Sequence, residues 1–99
     1  MTILNKPPTF VMAQNASSST LGMGVIWPGG PGAFSAEGTF GGGTITLQVQ
    51  TLTGTWVAVG ADTTFTSAGI AGFLLPNGSV IRALIATATA VYAYATPIV

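Results

Sequence analysis

The feature that most constrains this chain is a stretch near its middle where polar and apolar residues alternate without a break. Thr44, Thr46, Gln48 and Gln50 interleave with Ile45, Leu47 and Val49. Successive side chains of an extended backbone point to opposite sides, so this period of two predicts a β-strand with one dry face. Thr53-Gly54 supplies a turn, and residues 55–59 return with Trp56, Val57 and Val59. Together the two segments predict a hairpin.

The rest of the chain reads the same way. Its 99 residues include 14 glycines and 6 prolines, so about one residue in five punctuates the backbone, well above average usage. Threonine and other β-branched residues fill the intervals, which suits a pleated, half-buried surface. Short strands are predicted over residues 9–14, 21–27, 33–40, 79–87 and 91–95, with a further apolar run at 70–75. Polar 15–20, Pro28-Gly29-Gly30-Pro31-Gly32, Gly41-Gly42-Gly43, residues 60–63 and Pro76-Asn77-Gly78 separate them. Pro presets φ, and Asn and Gly tolerate positive φ, so Pro76-Asn77-Gly78 predicts a second hairpin joining 70–75 to 79–87. Residues 1–8 close on Pro7-Pro8, which favours extended backbone, and predict an N-terminal arm. Seven or eight strands at this spacing predict an all-β chain: an arm over 1–8, then a single small antiparallel β-sandwich, jelly-roll-like, over 9–99.

Charge is nearly absent. Lys6, Arg82, Glu37 and Asp62 are the only charged side chains, 4% of the chain, and they cancel. Two cations cannot neutralise a run of phosphates, so no nucleic-acid partner is expected. With no histidine and no cysteine, the usual zinc, haem and iron–sulfur ligands are missing, as are the bases of Ser-His and Cys-His nucleophiles. Two carboxylates far apart in sequence are a thin basis for acid–base work. The expectation is a protein that is not an enzyme and holds no metal or cofactor. Lack of cysteine also excludes a disulfide framework and suggests a reducing compartment. No apolar run follows the N-terminal lysine, so no secretory signal is expected. The most apolar stretch, residues 83–95, is shorter than the roughly 20 residues of a spanning helix, so no membrane partner is expected. Neutral surfaces associate, and β proteins usually defend sheet edges with charge. A homo-oligomer or a partner-bound subunit follows from that composition.

Several residues stand out as candidates for function. Gly41-Gly42-Gly43-Thr44 lacks the lysine and following helix of a phosphate loop and reads as a turn. Trp27, Trp56, Tyr92 and Tyr94 are candidates for an interface or a glycan-stacking platform; Trp56, in mid-strand, is read as core. Tyr92 and Tyr94 share one face of the last strand, opposite Val91, Ala93 and Ala95. That bulky face belongs either to the core or to an interface. Arg82, among apolar neighbours, is a candidate to pair with Glu37 or Asp62, within one chain or across a subunit boundary. Asp62 in G-A-D-T-T is expected to cap a turn. Pro7, Pro8 and Phe10 complete the candidate interface set, as the arm and its junction with the sandwich.

From residue 38 to residue 95 the order of features resembles small β-sandwich head-decoration (cement) or head-fibre proteins of tailed bacteriophages. The resemblance rests on G-G-T-I-T-L-Q-V-Q, then G-T-W-V-A-V, then S-A-G-I-A-G-F-L-L-P-N-G-S-V-I-R-A running on to A-V-Y-A-Y-A. The loop at 51–54 departs from it, since such families tend to carry Asp and Gly together there. The resemblance implies a non-catalytic virion protein, made in the host cytoplasm and bound to the outer capsid surface of an icosahedral head. It further implies a homotrimer whose partner is the major capsid protein and whose binding stabilises the shell. The runner-up from the residues is a receptor- or glycan-binding fibre module that uses Trp27 or the tyrosine pair.

Overall fold

The computed structural model describes residues 9–17 and 24–98. The expected arm, 1–8, lies outside them, with Pro7 and Pro8. Nine strands follow in order: β1 (Phe10–Ala16), β2 (Val25–Trp27), β3 (Gly30–Thr39), β4 (Thr44–Gln50), β5 (Trp56–Ala58), β6 (Thr64–Phe65), β7 (Gly69–Leu75), β8 (Ser79–Ala86) and β9 (Thr89–Pro97). A single 3₁₀ turn, Ala61–Thr63, precedes β6.

The strands form two antiparallel sheets packed face to face. The first has the order β1-β9-β3-β7; the second has β2-β8-β4-β5, with β6 also on β4. The pairs are nested: β1 with β9, β2 with β8, β3 with β7, and β4 with β5 and β6. The chain is thus one long antiparallel ribbon folded at β4–β6 and rolled, so that β3 also meets β9 and β4 also meets β8. This is the jelly-roll form of the sandwich, with successive strands passing between the sheets.

The alternation in β4 does what its pattern predicts. Ile45 and Leu47 are fully buried, and Gln48 faces outward. The hairpin to β5 forms, with Gln50 opposite Trp56 and Gln48 opposite Ala58. Its turn is closed by Thr51 N–H to Thr55 O at 2.7 Å and Gly54 N–H to Thr51 O at 2.9 Å, with Gly54 at φ 87°. The triple glycine is a turn as well: Gly43 N–H donates to Phe40 O at 2.7 Å, with Gly41 and Gly42 both at positive φ.

The second predicted hairpin does not form. β7 pairs with β3 in one sheet, whereas β8 pairs with β2 and β4 in the other. Pro76-Asn77-Gly78 is a corner between sheets. It keeps its local turn, with Ser79 N–H reaching Pro76 O at 3.3 Å and Gly78 at φ 87°. Gly78 N–H then donates to Trp27 O at 2.8 Å, which ties the corner to the end of β2. Turn chemistry dictates a reversal of the chain; it does not dictate whether the two arms pair or splay across a core.

That core is shared by both sheets. Met12, Trp27, Phe34, Ile45, Leu47, Ile81 and Val91 are its largest buried members. No buried side-chain polar atom among the described residues lacks a hydrogen-bond partner, as a well-packed interior requires.

Candidate docking surface

The candidate residues separate by sheet and by face. Val91, Ala93 and Ala95 of β9 are completely buried, so the small face of that strand is the core face. Tyr92 and Tyr94 point outward from the first sheet, and both are exposed. Small residues on β9 leave room for Phe34 and Met12 from neighbouring strands; the bulky tyrosines do not fit there. The question that the sequence leaves open about this strand is thereby answered.

Trp27 is corrected from the candidate interface to the core. It is 0% exposed. Its ring lies between Phe10, 5.4 Å away edge-on, and Phe73, 4.9 Å away and tilted. Its indole N–H donates to Gly30 O at 3.2 Å. The strand's other approach is equally close, because a Cβ at Gly32 would overlap the Trp27 ring. Trp27 therefore offers no face to a glycan. Phe10 belongs with it: half-buried, it turns inward onto this aromatic cluster.

Trp56 is corrected in the other direction. It is half-buried on the outer face of the second sheet, where the Arg82 guanidinium lies 4.3 Å from its ring centroid. Arg82 Nε also donates to Gln48 Oε1 at 2.8 Å, across the β4–β8 pair that sets the two residues opposite each other. The expected pairing of Arg82 with Glu37 or Asp62 is not made within the chain; a glutamine and an indole satisfy it. Arg82 and the two tyrosines therefore face away from each other on opposite sides of the sandwich. Asp62 is likewise corrected: no side chain caps the 3₁₀ turn. Thr63 and Thr64 hydroxyls each donate to Gly60 O at 3.2 Å and brace it instead.

The surface that remains is the outer face of the first sheet. One cross-strand row runs over all four strands: Val11, Tyr94, Ser35 and Ile70 are successive partners. Tyr92 and Glu37 form the adjacent row, and Leu74 stands beside Pro31 at the other end. Ile70 is 68% exposed and Leu74 72%. Ser35, Glu37, Gly69, Ile70 and Tyr94 line a shallow hollow on this face. Glu37 is its one charged side chain among the described residues. Aromatic and aliphatic groups at the centre with almost no charge are the composition of an interface core.

Sequence reasoning misses Val11, Ile70 and Leu74. β7 reads Gly69-Ile70-Ala71-Gly72-Phe73-Leu74-Leu75, and with every residue apolar or glycine there is no polar face to reveal the alternation. Among the described residues no group of carboxylates could hold a metal ion, and no helix is long and apolar enough to cross a membrane. Comparison with family models, curated proteins and solved structures gave no match.

Proposed function

We propose that this chain is a structural virion subunit of the decoration or cement kind, which docks on the outside of an icosahedral phage head through the outer face of its first sheet. The observation that carries the proposal is that face: a row of Val11, Tyr94 and Ile70, with Leu74 and Tyr92 beside it, exposed on the outside of the sandwich among the described residues. An exposed apolar sheet face of this extent marks an interaction surface. Docking that finished burying Ile70 and Leu74 would gain roughly 1–2 kcal/mol from each. Many copies bound to the assembled shell and not to free capsid subunits would stabilise the shell by linkage. A threefold assembly of copies is the arrangement that the sequence resemblance implies.

The test is cosedimentation of the purified chain with assembled, undecorated heads. Saturable binding that raises the heads' melting temperature, lost in Tyr94→Asp, supports the reading; a folded chain that ignores heads at all concentrations overturns it. The glycan-binding alternative loses its Trp27 form to the burial of that ring. What remains of it is the exposed Tyr92 and Tyr94 pair, and binding of a glycan array through that pair, with no binding to heads, is the outcome that would favour it.

A further inference from the structure

The sequence holds three asparagines, at 5, 15 and 77, and only Asn77 is followed by glycine. That pair has a chemistry of its own. The backbone nitrogen of the following residue, once solvent base has taken its proton, attacks the side-chain carbonyl carbon Cγ of the asparagine. A C–N bond forms, the Cγ–Nδ2 bond breaks, ammonia leaves, and a five-membered succinimide remains. Water then opens either carbonyl to give aspartate or isoaspartate. Nothing is oxidised or reduced. Asparagine is thermolabile for this reason, and a following glycine has no Cβ to obstruct the attack.

The fold brings this pair to the surface and at the same time holds the attacking nitrogen. Pro76, Asn77 and Gly78 are all exposed at the corner between β7 and β8, so water and base reach the side-chain amide. Gly78 N–H, however, donates to Trp27 O at 2.8 Å. Its proton is engaged there, and ring closure would turn the nitrogen out of that bond towards Asn77 Cγ. The acceptor does not follow. Trp27 is completely buried between Phe10 and Phe73, with its indole N–H bonded to Gly30 O. The Asn77 backbone is packed from the same side, where a Cβ on Gly29 would stand 2.8 Å from both its N and its Cα. Across the turn, Ser79 Oγ donates to Pro76 O at 2.7 Å.

We propose that Asn77 is a deamidation site locked by the fold, which reacts only when the corner between the sheets opens. Water and solvent base are the only co-reactants. The product marks the chain that has opened. It adds a carboxylate to a chain whose formal net charge is zero, and isoaspartate adds one carbon to the main chain at the corner. The lengthened corner would no longer bring β8 into the register that sets Ser79 opposite Trp27. Closing the corner again therefore does not restore the original packing. Pro76, Asn77 and Gly78 take no part in the docking face, so the proposal is independent of that reading.

The experiment follows the whole chain in mildly alkaline buffer, folded and in urea at the same pH. Intact mass and ion exchange report conversion, and tandem mass spectrometry of the digested chain places it. Hydrogen exchange of the Gly78 amide is followed in parallel, and Asn77→Gln serves as the site control. Asn77 should convert in urea and at least about tenfold more slowly in the folded chain, because local opening must precede attack. The Gly78 amide should be protected from exchange by a similar factor. Equal conversion rates in the two states overturn the proposal. So does a Gly78 amide that exchanges freely in the folded chain, or conversion in urea that persists undiminished in Asn77→Gln.

Discussion

Gly32 is where the packing of this fold is least forgiving. A Cβ built on Gly32 falls on two atoms of the Trp27 ring and within 2.8 Å of Phe73 Cζ. The ring has nowhere to go: Phe10 and Phe73 hold its two sides, and moving it stretches the 3.2 Å bond to Gly30 O. Gly32→Ala should therefore cost about 1–3 kcal/mol of overpacking and up to about 1 kcal/mol from the weakened indole bond. Against this, alanine in a strand recovers about 0.5–1 kcal/mol of backbone entropy. The net is a loss of about 2 kcal/mol, from a total of roughly 5–15 kcal/mol for a domain of this size. With a urea slope near about 1 kcal/mol/M, the unfolding midpoint falls by roughly 2 M. The same alanine in a Trp27→Phe background should cost much less, because the smaller ring vacates the overlapping positions. Equilibrium urea unfolding of all four proteins closes the cycle. An alanine at Gly32 that is neutral or stabilising, or costs that simply add, would refute the close approach of β3 to Trp27.

Three further outcomes follow from single residues. Arg82→Ala should destabilise by about 1 kcal/mol through loss of the Gln48 bond and the Trp56 stack, with a red-shifted indole emission; urea unfolding followed by fluorescence checks both. Thr87 is a β-branched residue at φ 71°, a conformation that costs roughly 1–2 kcal/mol. Thr87→Gly should raise stability by about 0.5 kcal/mol after glycine's own entropic cost, read as an increase in melting temperature. Ile70→Asp and Tyr94→Asp, on strands of the outer face, should each cost about 1–2 kcal/mol of unfolding free energy and leave the chain folded while abolishing sedimentation with phage heads.

Much of the fold is legible in the chain before it folds. The strand over Thr44–Gln50 and its hairpin to Trp56 come directly from alternation and a Thr-Gly turn, both local signals. Strand existence elsewhere follows from β-branched runs between glycines and prolines, and strand count with turn spacing suffices for an antiparallel sandwich. Sequence by itself also determines that the chain carries only four charged side chains and no net charge.

Tertiary structure alone decided three things. It set β7 and β8 in different sheets, since Pro76-Asn77-Gly78 reverses the chain equally well as a hairpin turn or as a corner, and the bond from Gly78 to Trp27 at the rolled ribbon's edge selects the corner. It decided which face of β9 is core, since Val91, Ala93 and Ala95 are as apolar as the tyrosines and only the space left by Phe34 and Met12 favours the smaller set. It drew Trp27 inside and left Trp56 out under Arg82. The physical reason is common to all three. Periodicity reports that a strand has two faces, but in a chain with so few charges both faces are apolar, and only the packing of one sheet against the other chooses between them.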